Sequence, residues 1–453
     1  MRYIPHSEAE IREMLGVIGA STVEDLFRSI PASNRCITEN PSRGLPEHDL
    51  RKSLEGLASL NRLHSIFMAG SGAVFHAVPA AVDNIISRSE FLTAYTPYQP
   101  EISQGTLQVI FEFQSTVCEL FGLDVSNASM YDGASALGEA VLMAIRVLKE
   151  KRRRVLISSA VNPNYLRVVR TMVESFGGID IEMLGVDEKT GATIYPDVID
   201  SDVAAVVAPY PGFFGVVENL APVTEKCRAA GAISICSMTD IAHLSILKSP
   251  GALGFDIATG EGMGIAGTSG MGGPSLGLMA CKDSYIKQMP GRIVGQTIDS
   301  NGQTGYVLTL ATREQHIKRE KATSNICSNQ ALVALAFTVH MGLLGRQGLR
   351  RMAAASHSGL KKLTDKLLSI PGVSRPFSGS VFNETTLSFD CDIDGLRKHL
   401  SDRDILFGVP VRWFYPDLAG NEKMIVLCIT EIVGDEDIDA AVSCVSEYME
   451  GLK

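Results

Sequence analysis

From about residue 154 onward, short apolar runs alternate with stretches of helical periodicity, and this alternation limits the possible folds more than any other feature. The predicted strands, between residues 155 and 281, are VLISSA, IDIEMLGV, VAAVVAPY, AISICSM, FDIATG and LGLMAC. Helical patterns near 163–176 and 218–230 separate several of them. Strands that are apolar throughout and alternate with helices are typical of a mostly parallel sheet covered on both faces. The central part of the chain is therefore predicted to be an α/β domain.

The N-terminal part has a helical pattern with frequent interruptions. S-x-x-E capping boxes at Ser7–Glu10 and Ser21–Glu24 each predict the start of a short helix, and a third helix is expected near 47–62. Two longer amphipathic helices follow, one over residues 107–121 and one after SMYDGAS.

Beyond residue 328 a long helical region ends at Pro371-Gly372, and strands and helices of a small α+β domain come after it. We divide the chain into an N-terminal helical arm and loop segment (1–102), a large α/β domain (103–327) and a small C-terminal α+β domain (328–453).

Charge and cysteine usage exclude several classes of protein. The formal net charge is −10, which argues against a general nucleic-acid-binding surface. The one basic run, at 151–154, is interpreted as a solvated helix end before a strand. The nine cysteines form no C-x-x-C pair, which favours reduced thiols in the cytosol. No histidines have the spacing of a ligand pair, so we expect no metal site.

The apolar segments do not predict a membrane protein. The first residues, MRYIPHSEAEIREML, become charged at once and lack the apolar core of a signal peptide. The longest apolar run extends only from residue 331 to residue 344, whereas roughly 20 residues span a bilayer. We interpret this run as a buried core helix, and we expect a cytoplasmic protein that binds neither membranes nor nucleic acids.

A glycine-rich stretch, GEGMGIAGTSGMGGPSLGL at 260–278, contains G-x-G-x-x-G at Gly262, Gly264 and Gly267. A dinucleotide site needs a helix that opens directly from this motif. Here more glycines and a proline follow instead, and the motif comes after one of the last predicted strands of the sheet rather than the first. We therefore do not interpret it as a NAD site.

The order of elements resembles that of fold-type-I pyridoxal-phosphate enzymes: a helical arm, a helix after a glycine-containing turn, an α/β domain and a small C-terminal lobe. In that plan the phosphate lies at the N-terminus of the helix after the first turn, where free N–H groups and the helix dipole favour an anion. DGASA at 132–136 is the candidate turn. An ordinary N-cap turn, with Asp132 as the cap, accounts equally well for the same residues.

Three long motifs are more specific. They are TAYTPYQPEISQGTLQVIFEFQSTVCELFG, SMYDGASALGEA and the segment MPGRIVGQTIDSNGQTGYVLTLATREQHIKREKATSNICSNQAL at 289–332. With these motifs the chain resembles the glycine-cleavage P-protein family, glycine dehydrogenase (decarboxylating), over essentially its whole length. It is similar to subunit 1, the α subunit of the split bacterial form, and to the N-terminal half of the single-chain form. The resemblance implies an α/β, fold-type-I pyridoxal-phosphate-dependent transferase-like fold.

The resemblance also implies a missing lysine. In the catalytic half of this family, an Asp at a strand start is followed by the Schiff-base lysine and then by a Gly-Gly-Pro loop. Here the frame runs from Asp256 to Gly272-Gly273-Pro274, and the lysine position falls on Met263 or Gly264. No amine is present there to bind the cofactor covalently. The glycines are then what is left of the floor of a cofactor site. The alternative is a purely structural glycine-rich connection.

By the same resemblance, pyridoxal phosphate is held by a lysine of a β subunit, and this chain completes the active site near the subunit interface. The enzyme decarboxylates glycine and passes the aminomethyl group to the lipoyl arm of the H-protein. The expected assembly is αβ or α₂β₂.

Candidate catalytic residues are Tyr95, Tyr98, Gln99, Glu101, Arg313 and His316. Candidate cofactor contacts are Thr323, Ser324 and Asn325, together with Asp132, Gly133, Ala134 and Ser135 in a turn that closes a vestigial pocket.

Several of these candidates also have a purely structural interpretation. AYTPYQPE can be a packed turn with aromatic anchors, and the basic residues Arg313, His316, Arg319 and Lys321 can form salt bridges within the subunit. Lys248 has a Ser-x-x-Lys spacing and raises the alternative of a self-sufficient pyridoxal enzyme, although it precedes the FDIATG strand. A subunit that only docks the H-protein is a further alternative.

Overall fold

The computed structural model describes residues 6–35, 44–267 and 274–451. Its contacts divide the chain into two compact units, residues 1–63 and 64–453. Residues 64–102 thus group with the second unit. The predicted boundaries after residues 102 and 327 stay predictions.

The N-terminal unit contains helix α1 (Glu8–Ile18) and helix α2 (Glu47–Ala58). The capping box at Ser7–Glu10 is confirmed: the hydroxyl of Ser7 accepts from the N–H of Glu10, and the carboxylate of Glu10 accepts from the N–H of Ser7 at 2.6 Å. Helix α2 ends earlier than the predicted residue 62.

The second predicted capping box was wrong by one residue. The carboxylate of Asp25 accepts from the N–H groups of Ser21 at 2.9 Å and Thr22 at 2.8 Å, and Glu24 takes no part in this arrangement. The turn that follows is a 3₁₀ turn, Glu24–Phe27, rather than an amphipathic α-helix. Asp, like Glu, can return a hydrogen bond to the cap when it lies three residues on, so the pair Thr22–Asp25 competes with Ser21–Glu24.

The second unit contains the remaining elements. Its helices are α3 (Ala80–Ile86), α4 (Ser89–Leu92), α5 (Gln104–Phe121), α6 (Gly133–Val147), α7 (Pro163–Glu174), α8 (Ala221–Ala230), α9 (Met263–Ala266), α10 (Gln315–Lys318), α11 (Ala331–Leu367), α12 (Ile393–Ser401) and α13 (Asp435–Glu450). Its strands are β1 (Ile66–Met68), β2 (Val125–Ser126), β3 (Arg154–Ser158), β4 (Asp180–Leu184), β5 (Val203–Pro209), β6 (Ile233–Ser237), β7 (Ile257–Glu261), β8 (Gly277–Cys281), β9 (Ile293–Ile298), β10 (Thr304–Thr309), β11 (Val373–Ser374), β12 (Glu384–Phe389), β13 (Ile405–Phe407), β14 (Val409–Pro410) and β15 (Met424–Cys428).

The central sheet has the order β2-β8-β7-β6-β5-β3-β4. Strands β4, β3, β5, β6 and β7 are parallel, while β8 runs antiparallel to β7 and β2 antiparallel to β8. The six predicted strands correspond to β3 through β8, so the prediction of a mostly parallel α/β sheet is confirmed.

The two faces of the sheet bury separate cores because successive side chains of a strand point to opposite faces. Val155 and Ile157 of β3 face a core shared with α6 and α7, whereas Leu156 faces a core shared with α5, α8 and the first half of α11. Every residue of β5 is buried, which explains its uniformly apolar sequence.

Helix α11 belongs to two cores. Its backbone leaves the helical conformation at Gly345, with φ 55° and ψ −176°. Before this kink Phe337 packs in the large core, and after it Leu360 and Leu363 pack under the C-terminal sheet. By length and composition the helix could cross a membrane. Its packing in two cores agrees with the prediction of a core helix.

The C-terminal lobe is α+β, as predicted. It has an antiparallel sheet of order β11-β12-β15-β14, covered by α11, α12 and α13. Strand β1 pairs in parallel with β13, with Ile66 opposite Ile405. Residues just after position 63 are therefore fastened to the C-terminal lobe.

Candidate active-site surface

The loop that carries TAYTPYQPE precedes α5, and two glutamines fasten this region to the β9–β10 hairpin. Gln104 donates to the carbonyl of Tyr306 and accepts from its N–H, both at 2.9 Å. Gln114 makes the same pair of bonds with Val294, also at 2.9 Å, and is buried. Helix α5 and the hairpin therefore form one hydrogen-bonded platform.

Tyr98 lies on this platform in a group that we call the Tyr98 cluster, formed by Tyr98, Arg292, Glu314 and His316. The hydroxyl of Tyr98 accepts a hydrogen bond from Nη2 of Arg292 at 2.9 Å. Nε of Arg292 lies 3.5 Å from Glu314, and Nδ1 of His316 lies 3.6 Å from the same carboxylate. The rings of Tyr98 and His316 meet edge to face at 6.0 Å. The structure thus brings together residues from two motifs that were predicted separately.

The members of the cluster differ in exposure, and this decides what each can do. The side chains of Arg292 and Glu314 are 4% and 10% exposed, whereas Tyr98 and the side chain of His316 are about half exposed, at 52% and 49%. The buried Arg292–Glu314 ion pair supports the two exposed side chains. Tyr98 and His316 are the groups that an external ligand or partner can reach.

Sequence reasoning missed Arg292 and Glu314. Arg292 lies within the MPGRIVG stretch, after Gly291 with φ +73° and directly before β9. A signal was present, because an arginine in an otherwise apolar stretch is buried only when it has a partner. The partner lies on another loop, and sequence spacing does not reveal that contact.

The other residues predicted on this loop, Tyr95, Gln99 and Glu101, take no part in this buried ion pair. Tyr95 is 83% exposed, and Gln99 and Glu101 are exposed as well. Pro97 is buried and holds the loop down. Tyr95, Gln99 and Glu101 are thus exposed neighbours of Tyr98 in the sequence, and their part in a shared site stays a prediction.

Arg313 is engaged within its own subunit. Nε donates to the carbonyl of Leu310 at 3.2 Å, Nη2 donates to that of Gly291 at 3.1 Å, and Nη1 donates to that of Met289. Burial lowers the pKa of its guanidinium. Arg313 therefore fastens the loop that carries Arg292 through three backbone carbonyls, and its role in binding an anion stays a prediction.

The segment Thr323–Asn325 also bonds to its own chain. The hydroxyl of Ser324 donates to the buried carboxylate of Glu139 on α6 at 2.6 Å. The N–H of Thr323 donates to the carbonyl of Arg313 at 3.0 Å. Asn325 is exposed. Of the three, Asn325 is thus the one presented to a neighbouring molecule.

The turn at Asp132–Ser135 is a capping box at the start of α6. The carboxylate of Asp132 accepts from the N–H of Ser135 at 2.7 Å, and the hydroxyl of Ser135 accepts from the N–H of Asp132 at 3.2 Å. Both Gly133 and Ala134 are buried. The N–H of Gly133, which as a first-turn group has no partner within the helix, donates to Glu261 at 3.0 Å.

Glu261 ends β7 and was not predicted as a functional residue. Its other oxygen accepts from the N–H groups of Met263 and Leu276, each at 2.9 Å. Burial raises the pKa of Glu261, and the three N–H donors oppose that rise. A carboxylate of this chain therefore fills the anion position at the start of α6.

The Met263–Gly264 position holds the short helix α9, and Gly267 ends it with φ +98°. A Cβ on Gly264 would lie 2.7 Å from the carbonyl oxygen of Val74, so no side chain fits at that residue. Gly272 and Gly273 of the predicted Gly-Gly-Pro loop lie outside the described residues. Lys248 is exposed and comes before β7, which disfavours its use as a Schiff-base lysine.

A buried group of charges follows the carboxyl end of β6, at the edge where open α/β sheets bind ligands. Nε2 of His76 lies 3.4 Å from Asp240, and Nδ1 of His76 lies 2.7 Å from Glu431. Asn383 donates to the other oxygen of Asp240 at 3.1 Å, and the N–H of Ala242 donates to the first at 3.1 Å. Asp240 therefore has a partner on each of its two oxygens.

This arrangement keeps His76 charged. Burial alone would lower the pKa of His76, but the charges and hydrogen bonds of Asp240 and Glu431 outweigh burial and raise it to about 10. Burial would likewise raise the pKa of Asp240, but His76 holds it below its usual range. The group is a set of ion pairs. Among the described residues no group of His, Cys, Asp or Glu has the arrangement of a metal site.

The residues at this edge do not fit a pyridoxal phosphate held by this chain. Met263 and Gly264 offer no amine, the anion position at α6 holds Glu261, and Asp240 has its partners. The cleft that remains beside Ser71, Asn162 and Glu384 has a volume of about 10 Å³ for the centre of a water molecule, which is room for about one water.

Comparisons with known proteins show which family the sequence matches. The sequence profile described as glycine cleavage system P-protein matches residues 1–445. The probable glycine dehydrogenase (decarboxylating) subunit 1 of Sphingopyxis alaskensis is 44% identical, covering 99% of this chain and all of that protein. The protein of the same name from Rhodospirillum rubrum is 42% identical with the same coverage.

Solved structures give the same result. A crystal structure of glycine decarboxylase (P-protein) of the glycine cleavage system, in inhibitor-bound form, matches with a TM-score of 0.86 and 40% identity over 99% of this chain and 100% of that one. The sphingosine-1-phosphate lyase of Burkholderia pseudomallei has the same fold, with a TM-score of 0.66 at 14% identity over 92% and 94%. The fold is thus of the predicted fold-type-I class, and the chain belongs to the glycine cleavage system P-protein family.

Proposed function

We propose that this chain is subunit 1 of a two-subunit glycine dehydrogenase (decarboxylating). It acts with a β subunit whose lysine holds pyridoxal phosphate, and the aminomethyl product passes to the lipoyl arm of the H-protein. The observation that carries the proposal is a half-exposed Tyr98 on a buried Arg292–Glu314 pair, in a chain with no amine at the lysine position. The names of the relatives support a second subunit.

Pyridoxal phosphate, when bound in the partner subunit, supplies the electron sink for the loss of carbon dioxide from glycine. The role of this chain is to present Tyr98. Because its oxygen accepts from Arg292, its own O–H is free to donate outward, away from the subunit.

His316 is the second reachable group. Its side chain is about half exposed, and Glu314, 3.6 Å from its Nδ1, orients the ring beside Tyr98. We infer that Tyr98 and His316 together hold a proton near the carboxylate or amine of the substrate. Tyr95, Gln99, Glu101 and Asn325 extend this surface and contact the partner subunit.

The test is glycine–carbon dioxide exchange by the reconstituted two-subunit enzyme. Tyr98→Phe removes the outward donor and keeps the ring, so the expected result is a loss of exchange of about 10- to 100-fold with unchanged assembly. Tyr448→Phe, in the C-terminal lobe, is the matched control and should leave exchange unchanged. Unchanged exchange in Tyr98→Phe favours the alternative of a docking subunit. We further propose a cytoplasmic αβ or α₂β₂ assembly.

A further inference from the structure

We propose that side chains of this subunit permanently occupy the places where its fold would bind a pyridoxal phosphate, with Glu261 in the place of the phosphate and His76 in that of the pyridinium. The carboxyl edge of this sheet then stabilises the fold and is not a second cofactor site.

The first of these places is that of the phosphate anion. A helix N-terminus at the carboxyl edge of such a sheet binds phosphate through free N–H groups. Here three backbone N–H groups, of Gly133, Met263 and Leu276, converge on the carboxylate of Glu261 at 2.9–3.0 Å. The side chain of Tyr165 covers the same helix start, since a Cβ on Gly133 would lie 2.5 Å from its hydroxyl.

The second place is that of the pyridinium cation. An aspartate paired with the pyridinium nitrogen is the recurring protein contact of this cofactor. Asp240 follows β6 at the same edge, and His76 supplies a cation to it from a separate loop. Glu431, beyond the end of β15, pairs with the other ring nitrogen of His76 and also accepts from the N–H of Ala77 at 2.7 Å.

These two groups also hold separate parts of the fold together. Loop 70–77 crosses the edge, where Ser71 donates its N–H to Glu384 at 2.5 Å and its carbonyl accepts from Asn162 at 2.9 Å. Val74 of this loop lies against Gly264 at the lysine position. His76 therefore joins the large sheet, this loop and the C-terminal lobe, and Glu261 joins the start of α6 to the segments after β7 and before β8.

The test uses the full-length chain, alone and with its partner subunit, and inorganic phosphate as the probe. Glu261→Ala leaves the three N–H donors without an acceptor. Millimolar phosphate should then raise the Tm of the variant by about 2–4 °C and leave the wild-type Tm unchanged. Glu218→Ala is the matched control: Glu218 is buried and accepts from Thr193 at 2.7 Å, so its loss should lower the Tm without any response to phosphate.

Equal phosphate responses in wild type and Glu261→Ala would overturn the proposal. If Glu261→Ala does not fold, equilibrium dialysis of the wild-type chain decides, because uptake of one pyridoxal phosphate per chain contradicts an occupied site and no uptake supports it. The inference rests on the proposed function in assigning the cofactor to the partner. The two fail separately, since the phosphate response of the isolated chain does not depend on turnover by the complex.

Discussion

Nη2 of Arg292 donates to the hydroxyl of Tyr98 across 2.9 Å, and the arginine is buried while the tyrosine is half exposed. A buried cation thus sets the orientation of a phenol at the surface. The guanidinium fork reaches Tyr98 and Glu314 at once, and a lysine ammonium cannot reproduce that geometry.

Arg292→Lys should therefore lower kcat for glycine–carbon dioxide exchange about 10-fold or more and leave the subunit assembly intact. Arg88→Lys is a suitable control, since Arg88 pairs with Glu90 on an exposed surface. An unchanged kcat in Arg292→Lys would contradict the positioning role.

The glutamine links should be important for stability. Gln114→Leu leaves the N–H and carbonyl of Val294 without partners, so we expect a loss of about 2–4 kcal/mol in the free energy of unfolding. Gln108→Leu, on the exposed side of α5, should change it by less than about 0.5 kcal/mol. Urea denaturation of both variants measures the difference, and equal losses would be inconsistent with the link.

Gly70 occupies a place that no side chain can enter. Its φ is +109°, and a Cβ would lie 2.6 Å from Oε1 of Glu384 and 2.8 Å from Cβ of Cys428. Gly70→Ala should therefore destabilise the chain by about 3 kcal/mol or more. Gly177→Ala, with φ +65° and open space, should cost only about 1–2 kcal/mol. Thermal unfolding that ranks the two variants in the opposite order would disprove this account of the loop.

The charge on His76 predicts a dependence of stability on pH. Because its folded-state pKa lies above its unfolded value of about 6.5, its contribution is complete below pH 6.5 and is lost as the pH rises towards 10. The wild type should therefore exceed His76→Gln in stability most at pH 6, and the difference should shrink by pH 9. A difference that is constant over this range would show that His76 is not charged.

Local patterns predicted the sheet because each strand shows its own signal. The six runs from VLISSA to LGLMAC all became strands, and apolar sequence throughout β5 follows from burial on both faces. The β9–β10 hairpin was not predicted, although Asn301-Gly302 is a typical turn pair. Gly302 has φ +79°, a left-handed conformation that glycine adopts readily.

The sites were harder to predict because their contacts join distant positions. His76, Asp240 and Glu431 come from three separate parts of the chain, and Glu261 reaches Gly133 across the sheet. Each of these residues looks ordinary in its own stretch. Tyr98 and His316 were predicted through the family resemblance, and their role stays a prediction, whereas the buried Arg292–Glu314 pair follows only from the fold.

The most direct test of the central claim is to locate the cofactor in the two-subunit enzyme. Borohydride reduction of the complex with pyridoxal phosphate, followed by mass spectrometry of each separated chain, identifies the lysine that carries it. The account predicts one pyridoxyl group per pair of subunits, all of it on the partner. A stoichiometric pyridoxyl-lysine on this chain, with Lys248 the first residue to examine, would contradict it.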